Sequence, residues 1–395
     1  MVQARPHDDG PGGTEPASAV PPVPARSGRG RAPAMTDVAA FAGVSHQTVS
    51  RVLNDHPSVS PRTRALVLAA VEQLGYRPNT AARALATGRS RTLGVITLSG
   101  TLYGPASTLS GVQAAAREAQ YGVMVVSVSS ADPSVLRQGA GLLLKQGVDG
   151  IIAIAPMRSS ARALLEAAGG LPLVAVEGLP DADPDGEVAV VCVDQVAVGR
   201  LATAHLLAAG HETVWHVTGP ADFYEGSGRL QGWRETLEEA GADVPPPLTG
   251  DWSPWAGFQA GQVLARMSGV TAVFAANDQM ALGLLRALRE KGRRVPEDIS
   301  VVGVDDIPEA PYFSPPLTTV RQDFAEVGRQ SLREVLGQIE TGVHRGERLV
   351  IAPELVTRQS VAAPARARVV TPRRPIAHRT VAGPTVTGTA VTGPA

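Results

Sequence analysis

The chain has one cysteine, two lysines and no apolar run of membrane-spanning length. A lone Cys192 excludes an internal disulfide and any metal site built from several cysteines. It stands in the apolar run VAVVCV, which points to a buried structural thiol. Without a stretch of about 18 apolar residues, no transmembrane helix is expected. The opening MVQARPHDDGPGGTEP lacks the apolar core of an export signal, so a cytoplasmic protein is expected. With 395 residues, 44% of them hydrophobic, the chain is long enough for two or three folding units.

A net charge of −1 conceals a strong segregation by sign. Residues 31–91 hold eight arginines against Asp37, Asp55 and Glu72, a surplus of +5. Residues 362–395 hold five arginines and no acid, again +5, and the balanced first 30 residues leave −11 for residues 92–361. A scarcity of lysine explains why the cations are arginines but not why they are segregated. A basic head on an acidic body implies nucleic acid as the partner of one and a different partner for the other.

Residues 1–34 are crowded with Pro, Gly, Ala and Arg and predict a disordered arm; residues 362–395 contain no leucine and predict a disordered basic tail. The tail's arginines would raise non-specific affinity for DNA by releasing counterions. Residues 35–78 read as short helices. Gly43-Val44 makes a turn, Ser45 offers its hydroxyl as an N-cap, and Ser60-Pro61 starts a third helix that Gly75 stops. The first helix has Ala34 where a polar cap is usual. From Leu93 the pattern changes to short β-branched runs, LGVIT, VMVVSV, GIIAIA, LVAVE, TVWHVTG, AVFAA and ISVVGV, with helical stretches between most of them. Such runs predict parallel sheets covered on both faces, in two doubly wound lobes over residues 92–361, with ligands at the carboxyl ends of the strands.

The segment SHQTVSRVLND, residues 45–55, carries the sharpest signal. At roughly 100° per residue, His46, Gln47, Ser50 and Arg51 share one arc, and Val49, Val52 and Leu53 share the opposite one. A short preceding helix, a tight glycine turn and base-capable side chains near the second helix's start are the requirements of a helix–turn–helix reader. Gln can pair with adenine and Arg with guanine through two hydrogen bonds each.

The run MTDVAAFAGVSHQTVSRVLNDHPSVSPRTRALVLAAVEQLGYRPNTAARALATGRSRTLGVI resembles the head and hinge of LacI/GalR-family transcriptional regulators. GDWSPWAGFQAG, FAANDQMALG, DISVVGVDDI and PPLTTVRQDF extend the resemblance to about residue 361, with the lac branch the nearest. It implies an α/β fold: a helix–turn–helix head (35–78), a hinge helix and linker (79–91), and a two-lobed doubly wound core like that of periplasmic binding proteins (92–361). It implies a repressor that binds a palindromic double-stranded DNA operator as a homodimer, under control of a sugar-like effector, with no cofactor, metal or membrane partner. The tail's lack of leucine heptads makes a tetramer unexpected.

By the same resemblance, His46, Gln47 and Arg51 read bases. Ser45, Thr48, Ser50, Asn54 and Tyr76 join them at the DNA, as do Asn79, Ala82, Arg83 and Leu85 of the hinge, where Leu85 would wedge between base steps. So short a hinge helix should order only on DNA. Arg229 and Asp278 would line the effector pocket and engage vicinal hydroxyls, and Trp252 would stack on the apolar face of a pyranose. Glu177, Tyr103 and Phe324 are further expected contacts. Leu98 and Ser99, and FYEGS at 223–227, depart from the family's polar pocket pattern and leave the effector's identity open.

Two other functions were weighed. GSGRLQG at 226–232 is not GxGxxG, and neither a nucleophile triad nor metal spacing among His205, His211 and His216 supports an enzyme. A sugar-binding transport receptor would share the two-lobed core, but it would need an export signal and would have no use for the basic head.

Overall fold

The computed structural model describes residues 32–77, 84, 88–98, 102–130, 132–154, 161–177, 188–343 and 346–364. It separates into two compact units, divided at Gly88 and Arg89.

The first unit contains α1 (Met35–Ala42), α2 (His46–Leu53) and α3 (Pro61–Leu74). Its helix ends follow from local chemistry. Ala34 has no side-chain acceptor, so only half of a capping box forms: the Ala34 amide donates to Asp37 Oδ2 at 2.7 Å. Ser45 Oγ accepts from the Thr48 amide at 3.1 Å and Ser60 Oγ from the Thr63 amide at 3.2 Å. Gly43 and Gly75 close α1 and α3 in the left-handed conformation, at φ 64° and 62°. The apolar faces meet in a small core of Val38, Ala39, Val49, Val52, Val67, Ala70 and Tyr76.

The second unit is built on two six-stranded sheets. The strands are β1 (Thr92–Leu98), β2 (Gly122–Val128), β3 (Gly150–Ile154), β4 (Leu173–Val176), β5 (Ala189–Val193), β6 (Trp215–Thr218), β7 (Leu248–Thr249), β8 (Ala272–Ala275), β9 (Ser300–Asp305), β10 (Thr318–Arg321), β11 (Arg348–Ile351) and β12 (Glu354–Val356). The helices are α4 (Tyr103–Glu118), α5 (Pro133–Lys145), α6 (Ala161–Ala167), α7 (Gln195–Ala208), α8 (Tyr224–Glu239), α9 (Pro254–Leu264), α10 (Asp278–Glu290) and α11 (Phe324–Thr341). One sheet has the order β11-β5-β4-β3-β1-β2, the other β12-β10-β9-β8-β6-β7. Central strands are buried on both faces: Val95 pairs with Val125 on one side and Ile152 on the other. Cys192 lies buried in β5. The expectation of parallel sheets needs one correction, because β12 runs antiparallel to β10. It follows β11 after a two-residue link and returns along the far edge of the other sheet, a strand direction that needs no crossover helix.

The chain passes between the lobes three times, at 193–195, 321–324 and 351–354, since β5 and β11 belong to one sheet and β10 and β12 to the other. Two of these passages carry Gln195 and Gln322, which recur below.

Helix pairs in the second unit approach at backbone distance through glycine. A Cβ on Gly199 would stand 2.3 Å from the Arg229 carbonyl oxygen, and one on Gly232 would stand 2.0 Å from the Val196 carbonyl oxygen. Gly199→Ala should therefore push α8 from α7 and destabilise the unit by about 1–3 kcal/mol, the usual range for overpacking. A melting temperature equal to the parent's would show that α8 has room to move.

Candidate functional site

In the first unit, α2 presents one polar face. Ser45, His46, Gln47, Arg51 and Asn54 are exposed, and Thr48 and Ser50 are half-buried. Val49 and Val52 point into the core. Asn54 Nδ2 donates to Ser50 Oγ at 3.4 Å, so the face is continuous from one end of the helix to the other. Below it, Arg64 pairs with Asp55 and donates to the His56 carbonyl at 3.0 Å, tying the loop after α2 to α3.

Tyr76, expected at the DNA, packs its side chain into the head's core, at 7% exposure. Its amide bonds to the Val71 carbonyl at 3.0 Å past the left-handed Gly75, and a residue in that position packs its side chain back on the helix it terminates. The expected hinge contacts Asn79, Ala82, Arg83 and Leu85 lie outside the described residues, as does Ser99.

In the second unit, the carboxyl ends of strands from both sheets surround a cavity that opens to solvent. Its aromatic walls are Tyr103, Phe223, Trp252 and Phe324. Tyr103 and Phe324 meet edge to face at 5.9 Å, and Phe223 meets Trp252 the same way at 5.7 Å. Trp252 has a left-handed backbone, φ 71°, held by Asn277 Nδ2, which donates to the Trp252 carbonyl at 3.1 Å. Its indole lies where a Cβ on Gly219 would be, 2.1 Å away, so glycine is required there.

Three polar residues of the wall, Arg229, Asp305 and Gln322, are joined into a closed ring by Gln195. Gln195 Nε2 donates to Gln322 Oε1 at 2.8 Å, Gln322 Nε2 donates to Asp305 Oδ1 at 2.6 Å, Asp305 Oδ1 stands 3.9 Å from Arg229 Nη2, and Arg229 Nε donates to Gln195 Oε1 at 2.9 Å. Gln195 also donates to Glu177 Oε2 at 3.0 Å, and Arg229 Nη1 donates to the Ala276 carbonyl at 2.5 Å. The guanidinium carbon lies 5.4 Å from the Trp252 ring centre. The ring therefore joins two interlobe passages, through Gln195 and Gln322, to the floor of the cavity. Burial raises the acids of this wall. Asp305 is pushed up to about 6 against the opposing pull of Arg229 and Gln322. Glu177 is pushed up to about 7 despite its bonds from Gln195 and the Val193 amide. Glu225, also on the wall, is raised well above its ordinary value by burial and by repulsion from Glu177.

Of the six expected effector residues, Arg229, Trp252, Glu177, Tyr103 and Phe324 line this cavity. Asp278 does not, and its assignment is corrected. It is 0% exposed, accepting from Thr319 Oγ1 at 2.7 Å and from the Ile307 amide at 3.0 Å, and so braces the start of α10 against β10 and the loop after β9. Asn277, one residue earlier and the extended N-cap of α10, takes the place on the wall. Asp305, Glu225, Gln195 and Gln322 were not foreseen. Asp305 had a signal, since it ends the strand run ISVVGV, where ligands gather in such sheets.

His211 and His216 serve structure. His211 bonds Thr271 Oγ1 at 3.0 Å and the Ala362 carbonyl at 3.1 Å, and His216 stacks on Phe274 at 4.3 Å. Among the described residues no helix is long and apolar enough to cross a membrane.

A chain with a helix–turn–helix unit ahead of a two-lobed core, whose cavity lies where the lobes' connections pass, is of the class of ligand-responsive DNA-binding regulators. Residues 34–79 match the model of bacterial regulatory proteins of the lacI family, and residues 203–361 match that of a periplasmic binding protein-like domain. The chain is 37% identical to the HTH-type transcriptional regulator CelR of Thermobifida fusca over 340 residues, 84% of this chain and 99% of the relative. Its structure is similar to that of the lac repressor dimer bound to operator and the anti-inducer ONPF, with a TM-score of 0.75, 33% identity, and coverage of 84% of this chain and 100% of that one. It is also similar to a complex of the transcriptional regulator CelR with cellobiose, with a TM-score of 0.64, 34% identity, and coverage of 83% and 99%. The chain belongs to the LacI family: it is a DNA-binding transcriptional regulator with an effector-binding domain, and its relatives are regulators, not enzymes.

Proposed function

We propose that the protein is a cytoplasmic homodimeric repressor whose two heads occupy the half-sites of a near-palindromic operator, and whose affinity for it is set by a sugar-like effector in the interlobe cavity. The observation that carries this reading is the ring of Gln195, Gln322, Asp305 and Arg229, which bonds polar residues of the cavity wall to two of the segments that connect the lobes. A ligand that bonds to this ring favours one relation of the lobes over another. A typical switch needs about 1–3 kcal/mol of such coupling. The ligands in the structures of these relatives, operator DNA and cellobiose, support both halves of the reading.

A dimer is supported by apolar side chains left in solvent on adjacent helices. Trp255 is 63% exposed on α9 and Leu282 is 46% exposed on α10. A patch of this kind marks an association surface. Leu282→Arg is expected to sediment as a monomer and to lose operator binding, while the parent sediments as a dimer. A parent that forms a stable tetramer, or a variant that stays dimeric, would contradict this. Selection from random duplex DNA by the purified chain tests the regulator reading as a whole: a palindromic consensus is expected, and the absence of any sequence preference would sink it.

A further inference from the structure

Two buried polar atoms on the cavity wall have no hydrogen-bond partner: Glu225 Oε2, an acceptor when ionised, and Trp252 Nε1, a donor. A buried polar atom left unpaired is costly, so a wall that keeps one of each kind is completed by its ligand. A hydroxyl group both donates and accepts, and satisfies both. A phosphate group is an anion, and it would meet three wall acids, Glu177, Glu225 and Asp305, which burial already holds above their ordinary values because this wall disfavours negative charge. Among the described wall residues Arg229 is the sole cation, and its Nε, Nη1 and Nη2 already face Gln195, the Ala276 carbonyl and Asp305. The site thus offers an anion repulsion with no unclaimed cation. The acids come from both lobes, Glu177 directly after β4 and Glu225 in the first turn of α8, and repel each other, so a further negative charge between them is disfavoured.

We propose that Glu225 is a specificity-determining residue that takes a hydrogen bond from a hydroxyl of a neutral sugar and excludes phosphorylated sugars from the cavity. This rests on the reading of the cavity as the effector site. The test is calorimetric titration of the full chain with glucose, ribose, cellobiose and lactose, and with glucose 6-phosphate, ribose 5-phosphate and cellobiose 6-phosphate. The parent is expected to bind at least one neutral sugar and to prefer it over its phosphorylated form by about a hundredfold. Glu225→Gln, which keeps the shape and removes the group that ionises, should weaken the neutral sugar and shrink that preference several-fold. Glu225→Ser serves the same comparison if the glutamine variant fails to fold, with thermal melting as the check. Unchanged affinity and preference in a folded variant would overturn the role of Glu225 while leaving the effector site intact. A parent that prefers a phosphorylated sugar would do the same. A parent that binds none of the seven would overturn the effector-site reading and this proposal together.

Discussion

Arg229→Met is expected to abolish effector response while leaving operator binding intact. The guanidinium is the cation of the polar ring, and removing it strips Asp305 of its ion-pair partner and leaves Gln195 Oε1 and the Ala276 carbonyl without their donor. Breaking a buried pair by deleting one member costs about 3–5 kcal/mol. Because the Arg229–Asp305 separation is long for an ion pair, the lower end applies. About 3 kcal/mol corresponds to a fall in melting temperature of roughly 6–12 °C for a unit of this size. Effector affinity should fall by more than about a hundredfold, since a ligand must now compete with an unbalanced carboxylate.

The loss should depend on pH with a definite sign. Asp305 and Glu177 have native values raised to about 6 and about 7. For an acid raised in the native state, the stability it contributes is fully present below its unfolded value and is lost as pH rises through its native value. Arg229 opposes that rise in both acids, so the deficit of Arg229→Met should be larger at pH 8 than at pH 5. Operator binding is expected to survive because the head has its own core, and effects at separate sites add within about 0.5 kcal/mol, or roughly twofold in affinity. A variant that melts like the parent at both pH values would show that the ring is not an electrostatic unit.

The second large effect is expected in the head. Gln47→Ala and Arg51→Ala should each reduce specific DNA affinity by about 5- to 150-fold per half-site, the equivalent of one lost two-bond base contact. Both side chains are exposed, so neither change should lower the head's stability. The two differ in salt dependence. Arg51→Ala removes a cation and should flatten the dependence of binding on salt if Arg51 also neutralises phosphate, whereas Gln47→Ala should leave the slope unchanged. Quantitative footprinting on the selected operator at several salt concentrations checks both. Equal loss on specific and random DNA would mean that these side chains position the head without reading bases.

The head was legible because its determinants are local. Ser45 and Ser60 cap their helices through residues three positions on, and the polar arc of α2 follows from helical periodicity alone. Tyr76 shows the limit: its aromatic ring suits either a phosphate or a core, and only the turn at Gly75 decides. In the core, strands such as Gly150–Ile154 are continuous apolar runs and announced themselves. Arg348–Ile351 and Glu354–Val356 did not, since both are short, partly exposed edge strands whose partners lie far away in sequence. The site repeats the lesson. Arg229 and Trp252 were named through the family resemblance of the motifs around them, while choosing between Asn277 and Asp278 required knowing which side of a helix start faces the cavity. Gln195 and Gln322 carry no signal of their own, because their role comes from lying where the chain passes between lobes.

The central claim is that cavity occupancy and DNA affinity are coupled. Its most direct test is the affinity of the full chain for its selected operator, measured by fluorescence anisotropy with and without saturating sugar from the neutral panel. A shift of about 5- to 150-fold in either direction is predicted for the sugar that binds the cavity, with no shift in Arg229→Met. Operator affinity that stays constant while calorimetry shows the same sugar bound would contradict the account.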